Sequence, residues 1–139
     1  MSRSGINERR RLLDNRGTTA VEMAIVANLL LLLLLGTLEI GRYFFVSESL
    51  KHLVGELARA AIVNPDADWS AQKNTFIARA GILKPEDFSM LNVNVARAAA
   101  PALTTVIVTA NYRYSFILPA LSGLVDSINA GVTLRFVAP

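Results

Sequence analysis

Hydrophobic and polar positions divide the chain into stretches of different period. From Glu22 to Glu39 no charged residue occurs, and Leu29 to Leu35 is unbroken leucine. The span from Thr19 to Leu38 corresponds to about 20 residues, or roughly 30 Å of helix, which matches the hydrocarbon core of a bilayer. Beyond it the pattern becomes helical and one-sided: Leu50, Leu53, Val54, Leu57, Ala58, Ala61 and Ile62 recur at i, i+3, i+4 and i+7. The opposite face carries Glu48, Lys51, His52, Glu56 and Arg59. No proline interrupts residues 18–63, so the pattern predicts one spine helix, transmembrane in its first half and amphipathic in its second. The amphipathic stripe requires a covering layer, which residues 64–139 must supply.

Asn64-Pro65-Asp66 stops that helix. A second helix is expected over about 68–80, with Asp66 or Asp68 as its cap, Trp69, Phe76, Ile77 and Ala80 as its apolar face, and Gly81 as its end. Lys84-Pro85-Glu86-Asp87 reads as a turn. Leu91, Val93 and Val95 alternate with polar positions as a strand does, and Ala98 to Ala102 reads as a loop. Leu103 to Tyr114 is the clearest strand. Val106, Val108, Ala110, Tyr112 and Tyr114 take one face, and Thr105, Ile107 and Thr109 the other. Residues 116–128 fit a short helix starting at Pro119 or an apolar loop. Asn129-Ala130-Gly131 is expected to turn the chain into a last strand through Val132, Leu134 and Phe136. The fold class is therefore α+β: a long N-terminal helix, a short second helix and a small antiparallel sheet of about three strands, packed on the outer half of the spine. Three parts follow: 1–17, 18–63 and 64–139.

Charge assigns a role to the first part. The chain carries 14 Lys and Arg against 11 Asp and Glu, a net charge of +3. Residues 1–17 contain Arg3, Arg9, Arg10, Arg11 and Arg16 against Glu8 and Asp14, so the excess (five minus two) lies there and the remainder balances. The basic leader reads as a signal holding the N-terminus in the cytoplasm, not as a phosphate-binding surface. Its polar, aperiodic sequence suggests disorder. Tyr43, Phe44 and Phe45 suit the outer membrane interface, where Glu39 and Arg42, three apart, can pair. There is no cysteine, which excludes disulfides and thiolate metal sites. A cleaved secretory signal fits less well. The apolar core is too long, and no Ala-x-Ala pattern follows it.

Little of the sequence suits catalysis. His52 is the single histidine. Glu48, His52 and Glu56 are spaced four apart, as a divalent metal site needs, but a solvated charged stripe has the same spacing. No glycine-rich phosphate loop or zinc-protease motif occurs. Tyr112-Arg113-Tyr114 mixes rings and charge as single-strand nucleic-acid sites do, and also as alternating strand faces do. The expectation is a protein that is not an enzyme, with no cofactor, metal or nucleic-acid partner.

More informative is Glu22. A carboxylate carried to the centre of a bilayer costs about 2.5–3.5 kcal/mol, and less near the edge. A chain cut after Gly17 would expose an α-amine at Thr18, one helical turn from Glu22, able to neutralise it in the same subunit or a neighbouring one. Ala20, Ala24 and Ala27 share a face, with Asn28 beside them, which suits close packing and a hydrogen bond between membrane helices.

The stretch Arg16-Gly17-Thr18-Thr19-Ala20-Val21-Glu22-Met23-Ala24-Ile25-Val26, with Gly36-Thr37-Leu38-Glu39-Ile40-Gly41-Arg42 after it, resembles the TadE family of pseudopilin-like proteins of the tight-adherence (Flp) pilus system. That resemblance implies cleavage by a prepilin peptidase between Gly17 and Thr18, with Glu22 as the fifth mature residue. It also implies a pilin-like fold in the bacterial inner membrane, an N-terminus in the cytoplasm and a C-terminal domain in the periplasm. The implied partners are other pilin or pseudopilin subunits, the Tad inner-membrane platform and the lipid bilayer, with incorporation into an extracellular pilus. Major Flp pilins carry Tyr where this chain has Met23, and they are much shorter, so a minor pilin or pseudopilin role is implied. TadF and TadG relatives share the N-terminal signature. Two other readings are an unprocessed single-pass periplasmic scaffolding or binding protein and a membrane-tethered enzyme.

Overall fold

The structure, a computed structural model, describes residues 4–98 and 103–137. Helix α1 runs from Ser4 to Val63. It is followed by α2 (Trp69–Ala80) and strands β1 (Phe88–Ala98), β2 (Leu103–Arg113) and β3 (Ser127–Val137). The chain divides into two compact units, Met1–Leu38 and Glu39–Pro139. The side chains of residues 1–16 lie outside the described ones, and the disorder expected of the leader falls on them.

In the first unit, the side chains from Gly17 to Leu38 are almost all exposed. The most apolar 18-residue window of this helix has a mean hydropathy of 2.3 and is only 6% buried. By length and composition it is able to cross a membrane.

The second unit holds the core. The predicted stripe of α1 is buried: Val46, Leu50, Leu53, Val54, Leu57, Ala58 and Ala61 lie in one cluster with Val106, Val108, Ala110, Tyr112 and Tyr114 from the inner side of β2. Each fully buried aliphatic side chain contributes about 1.5–3 kcal/mol of transfer free energy, so this seam is the main source of cohesion. The sheet order is β1-β2-β3, antiparallel throughout. β2 is central, which is why its alternation is the cleanest in the sequence: one face is wholly covered and the other open. Helix α2 adds Ile77 to the core. Its cap is Asp68, whose Oδ1 accepts from the amides of Ser70 and Ala71, and Gly81 closes it at φ +65°. Asp66, the other candidate cap, instead pairs with Arg97 of β1 at 2.9 Å.

One expectation changes and one open alternative is resolved. Asn129-Ala130-Gly131 is not a turn. It lies inside β3, opposite Asn111, Ala110 and Thr109. A residue alphabet typical of turns is overridden by the β2 partner strand. Gly131 sits where a Cβ would meet the Val108 carbonyl at 3.6 Å, and Asn111 Nδ2 donates to Asn129 Oδ1 at 2.6 Å across the two strands. The ambiguous stretch 116–128 is mostly loop, with a single 3₁₀ turn at Pro119–Leu121, while Ile128 belongs to β3 and the core. The loop expected at Ala98–Ala102 lies, apart from Ala98, outside the described residues.

Candidate processing and assembly segment

Gly17, Thr18 and Glu22 all lie within the uninterrupted run of α1. At about 100° per residue, Thr18 and Glu22 share a face one turn apart. A Cβ added at Gly17 would meet nothing within 4 Å, and glycine costs about 1 kcal/mol against alanine in a helix interior. Packing in this chain therefore does not explain the glycine; the same holds at Gly36, Gly41 and Gly55. Glu22 is exposed.

Ala20, Ala24, Ala27 and Asn28 are likewise exposed. The helical rotation places the alanines within about 60° of one another and Glu22 on the opposite side of the helix. The small-residue face and the acidic face therefore point to different neighbours. A helix packed through the alanines does not by that contact reach Glu22.

A second carboxylate flanks the apolar run, and its setting is different. Glu39 is 4% exposed. Its Oε1 accepts from Arg42 Nη1 at 3.1 Å, from the Ile117 amide at 3.0 Å and from the Tyr114 hydroxyl at 3.4 Å. Arg42 also lies over the Tyr114 ring, 5.2 Å from its centroid. Tyr114 stacks edge-on with Tyr43 and Phe116. Burial raises the pKa of the Tyr114 hydroxyl above its ordinary value, partly opposed by the Arg42 charge and reinforced by Glu39. Reading i,i+3 spacing found the Glu39–Arg42 pair but missed the two bonds from residues far along the chain. The available signal was a carboxylate placed directly after an apolar run.

The other candidate chemistry disperses. Glu48 binds Lys51 at 2.7 Å, and both are exposed. Among the described residues no group of three His, Asp or Glu side chains is placed to hold a metal ion. His52 and Glu56 line an open groove of about 710 Å³ with Phe45, Phe76 and Arg79. Tyr112 and Tyr114 are buried on the inner face while Arg113 is exposed, so the two rings are not available for stacking on bases.

An apolar, uncovered N-terminal helix, able by length and composition to cross a membrane, leads into a small α+β unit. Residues 17–59 match the family model described as TadE-like protein, the stretch singled out above by its motif. No curated protein and no solved structure matches the chain.

Proposed function

We propose that this protein is a non-enzymatic minor pilin or pseudopilin of a tight-adherence pilus system, cut by a prepilin peptidase between Gly17 and Thr18. The observation that carries this reading is the exposed apolar helix with an acid five positions after a glycine that its own packing does not require. The apolar run crosses the inner membrane with the arginine-rich leader in the cytoplasm, and the Glu39–Pro139 unit faces the periplasm. After cleavage the Thr18 amine neutralises Glu22, its own or a neighbour's, when helices gather in a hydrocarbon environment. This removes the cost of an unpaired charge there. The alanine face and the acidic face, on opposite sides, give each helix two neighbours, as a filament or its priming complex needs.

The test is expression of the full chain with and without the cognate prepilin peptidase, followed by N-terminal sequencing. The expected product begins at Thr18. A product starting elsewhere, or the intact chain in both cases, refutes the proposal and leaves the uncut single-pass scaffold. Glu22→Ala separates the same readings: the subunit stays in the membrane but loses assembly, whereas a plain anchor loses nothing.

A further inference from the structure

One stretch that the proposed function leaves unused is the loop between β2 and β3. Between Arg113 and Asp126 no residue is charged. Within it, Ile117 is 72% and Leu124 71% exposed. Single exposed leucines need no explanation; these two have a context. Both sit in a tightly turned segment: Leu121 donates its amide to the Leu118 carbonyl, and Leu124 to that of Leu121. That segment is anchored by the Ile117 amide on Glu39. Glu39 directly follows Leu38, the last residue of the apolar run. The helical turn beginning there exposes Ile40 and Phe44 as well.

We propose that this loop, Ser115–Val125, is a second lipid contact, dipping its exposed aliphatic side chains into the outer interface of the bilayer that the apolar run spans. The inference rests on the membrane-spanning reading above. Three physical points support it. An uncharged apolar loop in water is a cost unless it has a partner, and contiguous exposed apolar groups mark membrane or protein contacts. Its anchor, Glu39, is the residue that directly follows the apolar run in the chain. The flanking side chains include rings suited to an interface: Phe44 is exposed, and Tyr43 and Phe116 are half-buried. Arg42, whose side chain is 40% exposed, adds a partly exposed guanidinium beside the loop's anchor, paired with Glu39. Glu39 is then a positioning residue: it ties the loop to α1 at the residue next to the apolar run.

Depth-dependent quenching in the full-length protein, reconstituted into vesicles of mixed phosphatidylcholine and phosphatidylglycerol, tests this. Trp69→Phe supplies a background without tryptophan; the Trp69 Nε1 has no hydrogen-bond partner, so the change sacrifices no bond. In that background Leu124→Trp, Ile107→Trp on the open sheet face and Met23→Trp in the apolar run are compared. The expected result is quenching of Leu124→Trp by acyl-chain-brominated lipid, strongest for bromines nearest the headgroup, with a blue-shifted emission. Ile107→Trp should respond only to aqueous acrylamide. Adding Glu39→Gln should shift the Leu124→Trp response towards that of Ile107→Trp. Lipid quenching of Met23→Trp but none of Leu124→Trp overturns the proposal and leaves the span intact. Shielding of Leu124→Trp from acrylamide without lipid quenching assigns the loop to a protein partner and also overturns it. Absence of lipid quenching at Met23→Trp overturns the span and this inference together.

Discussion

The two halves of α1 are the same secondary structure under opposite demands. From Gly17 to Leu38, nearly every side chain is exposed, whatever its polarity. In the half after Glu39, Leu50, Leu53, Val54 and Leu57, at i, i+3, i+4 and i+7, are buried while the intervening charges are exposed. The flanking acids repeat the contrast. Glu22 is exposed, whereas Glu39 is enclosed and takes three donors. Helicity is therefore not what distinguishes the halves. The second finds its partners inside its own chain; in the function proposed above, the first finds them in lipid and other subunits.

The comparison is broken most strongly by truncating leucines. Leu57→Ala removes a fully buried side chain from the seam, and the expected loss is about 2–5 kcal/mol. Leu32→Ala, in the exposed run, should leave the melting of the C-terminal unit unchanged. Thermal unfolding of the detergent-solubilised protein followed by near-UV circular dichroism measures both. Equal effects would mean that the two halves share one cohesive core.

Next in size is Glu39→Ala. It strands the Ile117 amide and the Tyr114 hydroxyl, and an unsatisfied buried donor costs about 1–3 kcal/mol. The same melting measurement reads it. Faster proteolysis within 115–125 than in the parent should accompany it, because the loop loses its tie to α1. Parent-like melting and proteolysis would show that the bonds to Glu39 do not hold the loop.

A smaller effect is expected at the α2 cap. Asp68→Ala should lower the melting temperature by less than either change above. The Ser70 hydroxyl, followed by the Ala71 and Ser70 amides, holds the Asp68 carboxyl below its ordinary pKa. A depressed folded value means that its contribution is present above the unfolded carboxylate pKa and fades as pH falls through the folded one. The gap between parent and Asp68→Ala melting temperatures should therefore close in acid. A gap that stays constant to low pH would remove the charge from the account.

At the other end of the scale the sign reverses. Burial raises the pKa of both Tyr112 and Tyr114. Stability from their neutral hydroxyls is complete below the ordinary tyrosine pKa and lost as pH climbs through the raised values. Unfolding of the parent in alkali, monitored by tyrosinate absorbance, should be delayed past the ordinary titration. Tyr112→Phe combined with Tyr114→Phe should flatten the alkaline loss. Alkaline unfolding unchanged in the double variant would place its cause elsewhere.

Much of this was legible in the residues. Period 3.6 from Leu50 to Ile62, period two from Leu103 to Tyr114 and the proline after Val63 each report a local rule, and each element formed where its rule placed it. The TadE-like segment was equally local, a glycine and an acid at fixed spacing before an apolar run, and its match spans residues 17–59. The errors share one cause. Asn129-Ala130-Gly131 has the composition of a turn, but a strand long enough to pair with β2 along its whole length recruits it. Asp66 and Asp68 are equivalent as caps in sequence; the position of Arg97 separates them.

Sequence alone thus determined α1 beyond the leader, α2 and most of each strand, which helical stripe needs a cover and which run suits lipid, because those follow from neighbours within a few residues. The tertiary structure decided that Tyr114 and Ile117 join Arg42 on one oxygen of Glu39. No local pattern carries that information: these two residues lie far along the chain from Glu39, and only the packing of β2 against α1 brings them within hydrogen-bonding distance.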